Sequence, residues 1–76
     1  MTEKIIDLIL GVNAFAEVTV DTRLIEEGVL DSLGIFLLME SIEKEFIVKI
    51  PEDEINPENF LTVNALCDMI RRIHEV

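Results

Sequence analysis

Ser32 is the side chain in this sequence with the strongest claim to chemistry. It stands in Gly28-Val29-Leu30-Asp31-Ser32-Leu33, where two apolar residues anchor the chain and Asp31-Ser32 open a run, to Phe46, of helical apolar period. A hydroxyl there lies where backbone N–H groups point outward and the helix dipole favours negative charge. A phosphate ester on that oxygen would be well placed, for the reason that free phosphate binds helix N-termini. The plainer reading is an ordinary helix cap. A catalytic nucleophile would need a general base and an oxyanion site. The single histidine, His74, falls at the end of the last predicted helix, and no strand–turn–helix elbow can be built without strands. No enzyme is expected, and no catalytic residue is assigned.

The other candidate groups carry less. Glu52-Asp53-Glu54 and Glu58 lack the alternating oxygen ligands, the glycine and the terminal glutamate of a calcium loop, so no specific metal site is expected. Cys67 is the only cysteine, which excludes an intrachain disulfide, and it lies on an apolar helix stripe as a small core residue. Met39 and Met69 read as core filler.

These groups have to be positioned by helices. A first helix is predicted from about Thr2, as N-cap, to Phe15, with Ile5, Leu8, Ile9 and Val12 as its stripe and Ile6 and Leu10 widening it toward a second neighbour. Gly11 inside it costs about 1 kcal/mol relative to alanine. Residues 17–30 show no sustained period and form a long loop for so small a domain. Val18, Val20, Leu24, Ile25, Val29 and Leu30 would anchor it across the top of a bundle, ordered, so that it delivers Ser32 at a fixed place. The second helix runs from Ser32 or Leu33 to about Phe46, with Ile35, Leu38, Met39, Ile42 and Phe46 toward the core. Pro51 stops any continuation, and residues 46–51 form an extended connector. Asn56-Pro57 starts a short turn through Phe60. Thr62 caps a last helix, Val63 to His74, striped by Val63, Leu66, Cys67, Ile70 and Ile73, with Arg71, Arg72 and His74 at its C-terminus. The fold class expected is all-α: a small bundle of three main helices plus one short helix, with a long ordered loop between helices 1 and 2, all in a single domain, 1–76.

Charge narrows the partners. Sixteen acids against six bases give a net charge of −10, and from Glu17 to Glu58 twelve acids meet only Arg23, Lys44 and Lys49. The acidity is centred on Ser32. Nucleic acid and anionic membrane are poor partners for such a surface, whereas basic patches on other proteins are good ones. A solvated face that keeps a greasy domain soluble is the plainer alternative. Met1 leads straight into Thr2-Glu3-Lys4 and no apolar run approaches a membrane span, so a soluble, cytoplasmic monomer is expected.

Leu33, Phe36, Leu37 and Glu40 share a second face of helix 2, beside the serine. Two readings stand side by side: a loop covers these side chains, or they form a small apolar docking spot rimmed by Asp31, Glu40 and Glu43.

Taken in order, the chain resembles the acyl carrier proteins. The likeness runs through Asp21-Thr22-Arg23-Leu24-Ile25-Glu26-Glu27-Gly28-Val29-Leu30-Asp31-Ser32-Leu33, then Glu43-Lys44-Glu45-Phe46, Ile50-Pro51 and Asn59-Phe60-Leu61-Thr62-Val63. Asp-Ser-Leu alone would be weak; the ordered set is specific. The resemblance implies a carrier. A phosphopantetheinyl transferase would use coenzyme A to attach 4′-phosphopantetheine to Ser32, between Asp31 and Leu33, and the arm would hold an acyl or aminoacyl group as a thioester. A loading ligase and acyl-transfer enzymes would then meet the face of Phe36, Leu37, Glu40 and Glu43. Carriers of fatty-acid synthesis usually place acids where this chain has Gly34 and Leu37. Gly34 and Glu40 resemble instead the D-alanyl and other stand-alone aminoacyl carriers, which points to a specialised pathway, secondary metabolism or cell-envelope modification. The alternatives are an acidic adaptor without a prosthetic group, with Ser32 as a cap, or a general fatty-acid-synthesis carrier.

Overall fold

Three helices in the computed structural model, which describes residues 1–74, follow from three apolar stripes: α1 (Thr2–Val12), α2 (Ser32–Phe46) and α3 (Val63–His74). Single 3₁₀ turns lie over Glu52–Glu54 and Pro57–Phe60, and no strand occurs among the described residues. The all-α bundle is as expected, with one 3₁₀ turn more than the sequence announced. No helix among the described residues is long and apolar enough to cross a membrane.

The core joins Ile5 and Ile9 of α1, Leu38 and Ile42 of α2, and Val63, Leu66, Cys67, Met69 and Ile70 of α3. Each fully buried Ile or Leu contributes about 1.5–3 kcal/mol. α1 packs on both α2 and α3, as its wide stripe requires. Its ends differ from expectation. Thr2 is already inside the helix, with Met1 at the cap position and its carbonyl accepting from the Ile5 N–H. The helix stops at Val12, not Phe15, because the next turn finds no neighbour to pack on: Ala14 and Phe15 are exposed, Phe15 at 98%.

The long loop is ordered by burial. Leu24 and Leu30 sit in the core, and Val18, Ile25 and Val29 lean on it, whereas Val20 is exposed and anchors nothing. Thr22, buried, accepts the Thr19 N–H on its hydroxyl at 2.8 Å and closes the loop's first bend. At the far end of the chain the local signals act as read. Asn56 Oδ1 accepts from the Asn59 N–H at 3.1 Å and Thr62 Oγ1 from the Ala65 N–H at 3.1 Å. After α2, Ile47 takes a left-handed conformation (φ 53°) that turns the chain into the connector.

Candidate functional site

The start of α2 is fixed by its own first residues. Asp31 has an extended backbone, and its Oδ1 accepts the Gly34 N–H at 2.7 Å while its carbonyl accepts the Ile35 N–H at 2.9 Å. Asp31 is therefore the cap, and Ser32 is the first residue inside the helix. The adaptor reading, which gave Ser32 the capping role, is corrected on this point. The Ser32 side chain is exposed, and its hydroxyl makes no hydrogen bond among the described residues. The N–H groups of Ser32 and Leu33 have no acceptor among the described residues either. An unoccupied hydroxyl beside two outward N–H groups and a helix dipole is a setting that fits a phosphoester.

Three tethers hold this end of α2 in place. The Leu24 N–H donates to Leu61 O at 2.8 Å, which ties the loop to the approach to α3. The Leu30 N–H donates to Leu24 O at 2.9 Å, closing residues 24–30 on themselves, with Gly28 supplying the positive φ (76°) that this closure needs. From α1, Asn13 Nδ2 donates to Val29 O at 3.2 Å. Asn13 was not picked out from the sequence; an asparagine just past a helix end was the available signal.

The second face of α2 is open. Leu33, Phe36 and Leu37 are 65%, 53% and 42% exposed, so no loop covers them. Glu40 is exposed beside them and lines a groove of about 340 Å³ between α1 and α2 with Asp7, Gly11, Leu37 and Lys44. Glu43 stands apart from this group. It is half-buried, and its Oε2 accepts the Ile50 N–H at 2.9 Å, so its carboxylate is engaged with the connector. Two clefts border the first turn of α2. One, of about 210 Å³, is lined by Val12, Asn13, Val29, Leu33 and Leu37; the other, an apolar pit of about 190 Å³, by Ile25, Ile35, Ile55, Pro57 and Phe60. Among the described residues no cluster of His, Cys, Asp or Glu could hold a metal ion. The arrangement suits a modified side chain presented to a partner.

Comparison with known proteins agrees with that geometry. The family model described as "Phosphopantetheine attachment site" matches residues 3–70. The chain is 41% identical to aminoacyl carrier protein 1 of Bradyrhizobium diazoefficiens, over 88% of this chain and 78% of that protein. It is 33% identical to the D-alanyl carrier protein of Lactococcus lactis subsp. cremoris, over 93% of this chain and 92% of that one. In three dimensions it is similar, with a TM-score of 0.80 and 37% identity, to a chain in the crystal structure of a Bradyrhizobium japonicum glycine:[carrier protein] ligase complexed with glycylated carrier protein, covering 90% of this chain and 95% of that one.

Proposed function

The chain belongs to the family defined by the phosphopantetheine attachment site, and from that premise we propose that Ser32 is the residue that takes the group. The protein is an acyl or aminoacyl carrier, with 4′-phosphopantetheine as its covalent prosthetic group. That group, when bound, supplies a long flexible arm ending in a thiol that holds the cargo as a thioester. The observation that carries the assignment is the exposed, unbonded Ser32 hydroxyl on the first residue of α2.

The chain's own residues do the rest. Asp31 closes the turn below the serine, and the N–H groups of Ser32 and Leu33 offer positive partial charge to a phosphate on that oxygen. The three loop tethers keep the attachment point still, so the reach of the arm sets the effective concentration of cargo at a partner's active site. Leu33, Phe36 and Leu37 give partners an apolar landing place, and Glu40 with the surrounding acids steers basic surfaces toward it. Carriers of this family work with ligases and transferases. We assign this one a phosphopantetheinyl transferase, a ligase that loads an amino acid or related acid, and a downstream enzyme that removes it. Aminoacyl and D-alanyl carriers among its relatives support a specialised pathway.

The test is direct. Coenzyme A and a broad-specificity transferase should raise the intact mass of the wild type by one phosphopantetheine and leave Ser32→Ala unchanged. Folded wild-type protein of unchanged mass would end the assignment.

A further inference from the structure

Among the described residues no large apolar side chain is more exposed than Phe15, at 98%, so the fold gains nothing from its ring. Phe15 lines a groove of about 360 Å³ with Glu17 on its own segment and with Glu27, Gly28 and Val29 of the turn that leads into α2. Asn13 lines it too and ties the two segments together through its bond to Val29 O. Asn13, Gly28 and Val29 also line the cleft that holds Leu33 and Leu37, so the two hollows adjoin and form one trough from Phe15 to the first turn of α2. No base stands in the lining of either. Arg23, the one base in the loop, is paired with Glu26 at 3.0 Å, and Glu17 joins no ion pair among the described residues. An aromatic face in water beside two carboxylates is a seat for a cationic side chain. The ring and the acids attract it together, and a guanidinium stacks flat on such a ring.

We infer that Phe15, with Glu17 and Glu27, forms a slot for an arginine or lysine side chain of the transferase that modifies Ser32. This rests on attachment at Ser32 and deepens it. Reach singles out the transferase. Enzymes that act on the thioester meet the far end of a long arm and can stand off from the protein surface. The enzyme that installs the arm has no arm to use and must bring its own active site onto the Ser32 oxygen. A specific interface takes about 20 residues on each side, more than Leu33, Phe36, Leu37 and Glu40 supply. Its footprint therefore spreads over adjoining surface, and the trough leads it to Phe15.

Docking and modification can be read separately. Binding of a broad-specificity phosphopantetheinyl transferase to Ser32→Ala, which offers no hydroxyl, is measured by surface plasmon resonance. Modification of proteins that keep Ser32 is followed with coenzyme A by intact mass. Phe15→Ala, Phe15→Leu and Glu17→Gln are made in both backgrounds. All three replace exposed side chains, so melting temperatures should stay at their parent values. Phe15→Ala and Phe15→Leu should each weaken binding about fivefold and raise KM by a similar factor with kcat unchanged, the mark of a contact made equally before and during the reaction. Glu17→Gln should weaken binding about threefold at low salt and hardly at all at about 0.5 M. Parent-like affinity and KM in Phe15→Ala overturn the inference, as does a Glu17→Gln without effect at low salt. Full retention in Phe15→Leu overturns it by making the occupant apolar. A wild-type dimer that Phe15→Ala dissociates in the ultracentrifuge overturns it by making the occupant a second copy. Folded wild-type protein that binds through Phe15 but stays unmodified would strike at Ser32 as the attachment point and leave the slot standing.

Discussion

The carboxylate of Glu43 accepts a hydrogen bond from the backbone N–H of Ile50 at 2.9 Å, while the Glu43 carbonyl accepts from both Ile47 and Val48. One residue of α2 thus fastens the whole connector that follows it. Hydrogen bonds to charged groups contribute about 1.5–3 kcal/mol, so Glu43→Ala should lower the unfolding free energy by about 2 kcal/mol. Glu43→Gln keeps an acceptor and should lose less than half as much. Urea denaturation followed by circular dichroism measures both, and a Glu43→Ala midpoint equal to wild type would show that the bond contributes nothing net.

Asp31 and Ser32 should separate cleanly in stability. Asp31→Ala removes the cap of α2 and should cost about 1 kcal/mol. Ser32→Ala removes an exposed hydroxyl without a partner and should stay within about 0.5 kcal/mol of wild type. Thermal melts of the two variants side by side check the order; the reverse order would return the capping role to the serine.

Ile47 combines a left-handed backbone with a side chain that is 91% exposed. A β-branched residue is strained there, by about 1–2 kcal/mol. Ile47→Gly relieves the strain and gives up almost no buried surface, so it should raise the unfolding free energy by about 1 kcal/mol. A lower melting temperature would mean that the isoleucine makes contacts that compensate for the strain.

Arg72 donates to Glu54 Oε1 at 2.8 Å and to Asn59 Oδ1 at 3.0 Å, joining α3 to both 3₁₀ turns. The guanidinium hydrogen bond, chiefly, holds the Glu54 carboxyl below the ordinary glutamate range, and Glu54 correspondingly raises Arg72. A lowered folded-state value means that the contribution is complete above the unfolded glutamate range and is lost as pH falls through the lowered value. The gap in melting temperature between wild type and Arg72→Gln should therefore be widest near neutrality and close as pH falls below the ordinary glutamate range. Taking the difference between the two proteins cancels the relief of acidic self-repulsion that both share. A gap independent of pH would place the role of Arg72 in packing of its alkyl stem.

Leu37→Glu tests the open face. With 42% of the residue already in water, the fold should tolerate the change, and the melting temperature should shift by no more than a few degrees. The kcat/KM for modification by the transferase should fall about tenfold, the scale of one lost apolar anchor. An unchanged rate would remove Leu37 from the partner surface, and loss of the fold would make it a core residue.

Features set by local chemistry were legible in the sequence. Asn56, Thr62 and Pro57 act within three residues of themselves, and the stripes of α2 and α3 repeat often enough to fix face and extent. The end of α1 was not. Ala14 and Phe15 look helical in isolation, and only the absence of a neighbour for Phe15 ends the helix at Val12. At the site, the serine and the exposed Leu33, Phe36 and Leu37 could be named from spacing. Whether those three were open depended on where the loop lay, which spacing does not encode. The bond that Glu43 accepts from the Ile50 N–H depends on a turn made by an isoleucine in a conformation that favours glycine, which no local signal announces.

The bond from the Leu24 amide to the Leu61 carbonyl has a dynamic consequence. It stitches the middle of the long loop to the segment that launches α3, so the loop cannot swing out as a flap while the bundle stays shut. Peeling it off would strip Leu24 from the interior as well, a toll comparable to a Leu→Ala core truncation, about 2–5 kcal/mol. The loop therefore moves with the body of the bundle, and Ser32 at its end is carried on that body and not on a hinge.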